Sequence, residues 1–140
     1  MRDQDLPVDR LADAYRAWRE SKGMTPDLFI DLMADQVEMR SVLEPDLPDD
    51  LAAHRRSQGE AREYFGILLR DWEMLDFPQQ SIVAEGDTVV WIGRCAWRHR
   101  QTGAEIDTPK VDIWTFENGK AVRVLEMFDS LGFARTAGLL

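Results

Sequence analysis

The sequence has a single cysteine, Cys95, and only His54 and His99 among its 140 residues. One thiol cannot close an intrachain disulfide, and so few ligands cannot assemble a multi-cysteine or histidine-rich metal centre. No metal and no cofactor are expected. Basic residues are also scarce: 17 Lys and Arg stand against 26 Asp and Glu, a formal charge of −9. Nucleic acid needs a concentrated basic surface for its phosphates. The only basic groupings are Arg94, Arg98, His99 and Arg100, with Arg55-Arg56 elsewhere, so no nucleic-acid partner is expected. No apolar run approaches the length of a membrane span, and the polar stretch Met1 to Arg10 does not read as a signal peptide. The expectation is a cytoplasmic protein with no membrane partner. Repeats and low-complexity segments are missing as well. The rest, 44% hydrophobic and 31% charged at one-domain length, is an ordinary globular composition, and residues 1–140 read as a single domain.

Val8, Leu11, Ala14, Tyr15 and Trp18 recur at helical spacing, predicting a helix over Val8–Lys22 that Gly23 stops. Thr25-Pro26-Asp27 starts a second helix, predicted to reach about Ala34. Over Asp35–Leu43, Val37, Met39, Ser41 and Leu43 alternate with Glu38 and Arg40, the pattern of a half-exposed strand. An acidic loop broken by Pro45 and Pro48 leads to a long helix predicted from Ser57 to about Leu75, with Ala61, Tyr64, Phe65, Leu68 and Trp72 as its apolar stripe. Strands follow at Phe77–Glu85 and Thr88–Arg100. In the second of these, Trp91, Gly93, Cys95, Trp97 and His99 share one face, while the arginines select the other as the outer face. A turn at Gln101-Thr102-Gly103 leads to a last hairpin, and Ser130–Leu140 reads as a short helical tail.

Helices first, then antiparallel strands with one long helix interposed, predict an α+β fold: a curved mixed antiparallel sheet with N-terminal helices and one long helix on its concave face. On the outer face Ile92, Ala96, Val111, Ile113, Leu125 and Met127 lie among arginines, which predicts a homodimer.

The hairpin Thr108–Asp129 carries the chemistry. A two-residue Asn118-Gly119 loop would set Asp112 against Leu125 and waste the apolar face, so a three-residue loop ending at Gly119 is expected. One such register opposes Lys110 to Glu126; sliding the loop by one residue opposes Asp112 to Glu126. In both, Asp112, Trp114, Phe116, Val122, Val124, Glu126 and Phe128 share the inner face. Two carboxylates then sit among aromatics, where an ionised group is costly unless it is paired or its pKa rises. Lys110 is available to neutralise Glu126. The pattern points to a pocket lined by Trp18, Ser41, Trp91, Trp97, His99, Lys110, Trp114 and Phe128, although the tryptophans also serve as plain core. Cys95 reads as a small buried hydrophobe, and His99, inward by parity, lies either at the pocket mouth or in solvent near the turn.

Several segments carry a family resemblance: Leu32-Met33-Ala34-Asp35, the run Arg56 to Phe65, Gly103 with Asp107-Thr108-Pro109, Trp114 to Lys120, Glu126-Met127-Phe128-Asp129 and Ala137-Gly138-Leu139. In this order they resemble the nuclear transport factor 2-like superfamily, specifically its SnoaL-like and ketosteroid-isomerase-like bacterial members. The resemblance implies a cone-shaped cystatin-like fold around a ligand pocket. By resemblance to ketosteroid isomerases, Tyr15 and a protonated Asp112 would donate hydrogen bonds to a developing enolate. Ser41 stands where those enzymes hold their base. By resemblance to SnoaL-like polyketide cyclases, Glu126 takes the acid-base position and Asp112 that of a histidine. Epoxide hydrolases of the superfamily need an Asp-Arg-Asp set, and no inward-facing arginine is found on these strands. The reading is a lyase or isomerase acting on a small hydrophobic carbonyl compound, with Tyr15, Asp112 and Glu126 as catalytic residues. The alternative is a non-catalytic domain that binds a hydrophobic ligand or dimerises.

Overall fold

The computed structural model describes residues 6–140; residues 1–5, which open the polar stretch discussed above, lie outside the described residues. Pro7 supplies the fixed φ that suits a first helical turn, and α1 (Pro7–Glu20) buries Leu11, Ala14, Tyr15 and Trp18. Gly23, at φ +85°, turns the chain out of it and donates its N–H to the Trp18 carbonyl. The second helix is shorter than the sequence predicts. α2 spans only Asp27–Ile30, and β1 (Met33–Ser41) starts earlier than the alternation suggests. Sheet pairing overrides helix propensity here, because the Leu32 carbonyl already accepts from Ala121 N–H and Met33 pairs with Ala121. The Gln58 amide nitrogen also donates to the carbonyls of Ile30 and Met33, fixing the helix end against α3.

After a loop holding one 3-10 turn (Asp50–Ala52), α3 spans Gln58–Asp71. Ser57 Oγ accepts from Glu60 N–H, and the Glu60 carboxylate reaches back to Arg56 N–H, a reciprocal cap of its first turn. The helix does not reach Leu75 as its stripe predicts. Instead Trp72–Asp76 forms β2, antiparallel to β4, with Trp72 opposite His99 and Met74 opposite Trp97. Trp72 satisfies the helical stripe with Leu68 and the strand alternation with Met74 alike, and hydrogen bonding to the neighbouring strand decides between them. β3 (Gln79–Glu85), β4 (Thr88–His99), β5 (Glu105–Glu117) and β6 (Lys120–Met127) follow, then α4 (Ser130–Thr136).

The sheet runs β1-β6-β5-β4-β2, with β3 also pairing β4. β1 lies parallel to β6 and every other pairing is antiparallel, so the sheet is mixed. Register shifts interrupt all of these pairings except that of β4 with β5. Each shift adds local twist and bend, and the sheet is curved and unclosed. Along β4 every second residue from Val89 to His99 is buried, as alternation predicts. Tyr15 of α1 stacks on Trp91 at 4.7 Å, and Trp18 meets Phe29 and Phe65 edge-on at 5.6 Å, so helices and sheet share one aromatic core. No helix among the described residues is long and apolar enough to cross a membrane.

Gly93 marks the tightest place in this packing. A Cβ there would lie 2.2 Å from the Pro78 carbonyl oxygen, which is itself held by Arg94 N–H at 3.0 Å. Gly93→Ala is therefore expected to cost about 1–3 kcal/mol of stability. Urea unfolding checks this; an unchanged midpoint would mean that the Pro78 segment yields freely.

Candidate functional site

The β5–β6 turn is the two-residue Asn118-Gly119 after all, with Asn118 at φ 52° and Gly119 at φ 78°, values that suit the primed hairpin turn. The three-residue loop is thus corrected. Glu117 pairs with Lys120 and Phe116 with Ala121, but Thr115 pairs with Arg123, so Val122 is an extra residue in a bulge. That bulge restores the apolar face which a plain two-residue hairpin would have wasted. Ala121 rather than Val122 occupies the buried inner position, and beyond the bulge Trp114 faces Val124 and Asp112 faces Glu126.

Lys110 lies one inward step along β5 from Asp112 and donates to both carboxylates, Asp112 Oδ1 and, at 2.8 Å, Glu126 Oε2. Tyr15 Oη donates to Asp112 Oδ2 at 2.5 Å and accepts from Trp114 Nε1 at 2.9 Å. Asp112 and Lys110 are 4% and 5% exposed and the Glu126 side chain beside them 13%, so one cation and one carboxylate are held out of water with a second, mostly buried carboxylate against them. Burial pushes the Asp112 carboxyl above its ordinary range; Lys110 opposes that shift and Glu126 adds to it. Burial alone would lower the Lys110 pKa, but the carboxylates of Asp112 and Glu126 outweigh it and the ammonium is held well above its ordinary range. Burial and the Asp112 charge raise the Tyr15 phenol strongly, keeping it a neutral donor. One contact is missing: among the described residues nothing donates to Glu126 Oε1, although that atom is buried.

Around this cluster is a cavity of about 90 Å³ with a predominantly apolar wall. Tyr15, Asp112 and Glu126 all line it, as do Trp18, Ser41, Trp97, Lys110, Trp114 and Phe128. Trp91 and His99, expected on the wall, do not. Trp91 is sealed behind Tyr15 and donates its indole N–H to Gln79, and His99 packs against the Trp72 ring at 4.7 Å while its Nδ1 accepts from Thr102 N–H. His99 is buried, so neither the pocket mouth nor solvent describes it. Its inward parity holds, but the strand end carries it past the cavity to the β4–β5 turn.

Sequence reasoning misses Tyr64 and Trp72 on the wall, reading both as helix core. The Tyr64 phenol is pushed well up by burial, by the charge of the nearby Glu126 carboxylate and by the approach of its hydroxyl to that carboxylate, an approach that falls short of a full hydrogen bond and leaves Oε1 without a partner; a hydroxyl on an otherwise apolar helix stripe is the signal that could have found it. Cys95 also lines the cavity, and burial raises its thiol to about 11, so it is no ready nucleophile. Phe128 and Phe133 bring the tail beyond β6 onto the same wall.

The SnoaL-like domain family matches residues 11–124 of this chain. No curated protein sequence matches it significantly. Among solved structures it is similar to a nuclear transport factor 2-like protein of unknown function from Burkholderia pseudomallei, with 18% identity over 94% of this chain and 96% of that one and a TM-score of 0.81. Another nuclear transport factor 2-like protein, from Burkholderia thailandensis, has 24% identity over 97% and 98% of the two chains and a TM-score of 0.79. TerC, co-crystallised with polyporic acid, has 18% identity over 94% and 98% and a TM-score of 0.78. At such identities the structural likeness establishes the fold alone, a curved sheet with helices on it. The family match spans most of the chain, and the chain belongs to the SnoaL-like domain family.

Proposed function

We propose that this protein binds a small hydrophobic carbonyl compound in its cavity and acts on it as a lyase or isomerase, with Glu126 as general base. One observation carries this reading: Glu126 lines an apolar cavity, its Oε2 is fixed by Lys110, and its buried Oε1 has no partner among the described residues. A carboxylate held by one oxygen and free at the other is oriented to take a proton from a carbon next to a carbonyl. The electron pair of that C–H bond then moves onto the carbonyl oxygen, and the proton returns at another carbon or a leaving group departs. The Tyr64 phenol, whose hydroxyl approaches the Glu126 carboxylate without a full hydrogen bond to it, is a donor for the resulting oxyanion on the same wall. Tyr15 and Asp112 act by positioning. The one proton of Tyr15 Oη is committed to Asp112, which in turn holds Lys110, so direct stabilisation of an enolate by this pair would require that bond to open.

A second reading, a non-catalytic binding domain, is favoured by how nearly the Tyr15, Lys110 and Asp112 contacts satisfy one another without a ligand. TerC with polyporic acid illustrates a small-molecule complex on this fold. Exchange of α-protons of acetophenone or cyclohexanone in heavy water, followed by NMR, separates the readings. The catalytic one expects protein-dependent exchange above buffer; binding without any exchange would leave the second. Cytoplasmic location is proposed from the sequence alone.

A homodimer through the outer sheet face is part of this proposal. Ile92, Val111 and Met127 line up across β4, β5 and β6, and so do Val90, Ile113 and Leu125. Flanking ion pairs, Arg94 with Asp107 and Arg98 with Glu73 and Glu105, make a polar rim. Light scattering at micromolar concentration is expected to report twice the chain mass, and Ile113→Arg to halve it; a monomeric wild type would sink the idea.

A further inference from the structure

Two side chains on the cavity wall carry a buried polar atom that meets no partner among the described residues, Glu126 Oε1 and Trp72 Nε1. The second is a donor only, since an indole nitrogen has no lone pair to offer, and Trp72 is 2% exposed. Native cores rarely leave such a donor unmet. Two other buried tryptophans show the ordinary solution: Trp91 Nε1 donates to Gln79 at 2.9 Å and Trp114 Nε1 to Tyr15 at 2.9 Å. Nor is Trp72 free to turn toward another acceptor. Its backbone is laddered opposite His99, whose ring meets the indole edge-on at 4.7 Å, and Phe133 stacks on it at 5.4 Å.

We propose that Trp72 Nε1–H is the anchoring donor for an acceptor oxygen of the ligand, so that the cavity selects apolar ring compounds pairing an acceptor oxygen for Trp72 with a proton donor for Glu126. The half concerning Glu126 rests on the function proposed above; the half concerning Trp72 stands on the unmet indole and its locked ring. The selection is by both ends of the molecule. A buried donor without a ligand penalises compounds that lack the oxygen as much as it rewards those that have it. Tail helix α4, through Phe133, becomes part of ligand recognition because it holds the indole in place.

Calorimetric titration with para-hydroxyacetophenone and para-ethylphenol tests this, because the two share a ring and a phenol and differ in the carbonyl. Wild type is expected to prefer para-hydroxyacetophenone by about five- to tenfold, one hydrogen bond's worth. Trp72→Phe, which keeps a ring and removes the N–H, is expected to bring the two affinities together. Survival of the preference in that variant overturns the proposal, as does its absence in wild type, where the indole would then hold a water or nothing. Should Trp72→Phe fail to fold, the indole N–H resonance of wild type, identified through the Phe133 and His99 ring protons, is read instead. It must move with para-hydroxyacetophenone and stay with para-ethylphenol; equal behaviour with both is fatal. Glu126→Gln separates the two halves: it should weaken both phenols and leave the carbonyl preference intact. If it weakens neither while Trp72→Phe erases the preference, the base assignment fails and the Trp72 anchor stands. Failure of every probe to bind at millimolar concentration overturns both.

Discussion

Lys110→Met is expected to destabilise the fold by about 3–5 kcal/mol near neutral pH, the usual cost of stripping one partner from a buried ionic cluster. The variant leaves Asp112 and Glu126 facing each other across β5 and β6 with no cation between them. The loss should depend on pH in a definite direction. The folded pKa of Asp112 is already raised by burial above its unfolded value of about 4, so its stabilising protonation is fully present below that value and is lost as pH rises through the folded one. Removing Lys110 takes away the group that opposes this rise and widens the window. The difference between variant and wild type should therefore be small near about pH 4 and grow toward neutrality. Lys110 itself works in the opposite range. Its folded pKa is raised, so its contribution in wild type holds below its unfolded value of about 10.4 and fades as pH climbs through the folded one, a limb the variant should lack. Urea midpoints across pH measure both. Adding Glu126→Gln to Lys110→Met should recover part of the loss at neutral pH, since only one buried carboxylate then remains. Equal destabilisation at acid and neutral pH would mean that the lysine stem, not its charge, is what matters.

That cluster is partly legible in the sequence. Strand alternation together with the demand for one continuous apolar face places Asp112, Trp114 and Glu126 on one inner face, whatever loop or bulge brings that about. It also offers Lys110 as the neutraliser of Glu126, although the shared bond to Asp112 depends on register. The register is not legible, because a bulge at Val122 reverses parity midway along β6 and leaves no residue signature as plain as a glycine or proline. Trp72 is misplaced for a related reason. A residue that fits both a helical stripe and a strand alternation is decided by which neighbour offers hydrogen bonds, and β4 is far away in sequence. His99 shows the limit of parity from the other side: the face is right and the depth is wrong, since alternation gives direction but not distance along the strand. The apolar rows across β4, β5 and β6 need only the strand faces, and pairing then aligns them.

Glu126→Gln is expected to reduce turnover of a carbonyl substrate by ~10² to 10⁴, because an amide cannot accept the proton that the proposed mechanism moves. For a substrate that offers Glu126 only its carbon-bound proton, with no hydroxyl toward it, the fall should lie in kcat with KM little changed, since the side chain's shape and its wall position persist and only an interaction made in the transition state is lost. Stability argues that this reads chemistry and not unfolding. The substitution removes one of two carboxylates around one ammonium, leaving Lys110 paired with Asp112, so the folded state should not suffer. Asp112→Asn makes the informative contrast. It preserves an acceptor oxygen for Lys110 or Tyr15 and leaves Glu126 in place, so turnover should be retained in part, as it should in Tyr15→Phe. If Tyr15 and Asp112 instead stabilised the enolate directly, Tyr15→Phe would fall as far as Glu126→Gln, and the positioning role assigned to the pair would be wrong. Retention of turnover by Glu126→Gln within a few-fold of wild type would remove the base itself. On the binding reading there is no turnover to lose, and all three variants hold an apolar ligand without a proton donor for Glu126 within a few-fold of wild type. Parallel measurements of urea midpoint, ligand affinity and α-proton exchange on this set of variants assign Glu126, Asp112 and Tyr15 to chemistry, to positioning or to packing.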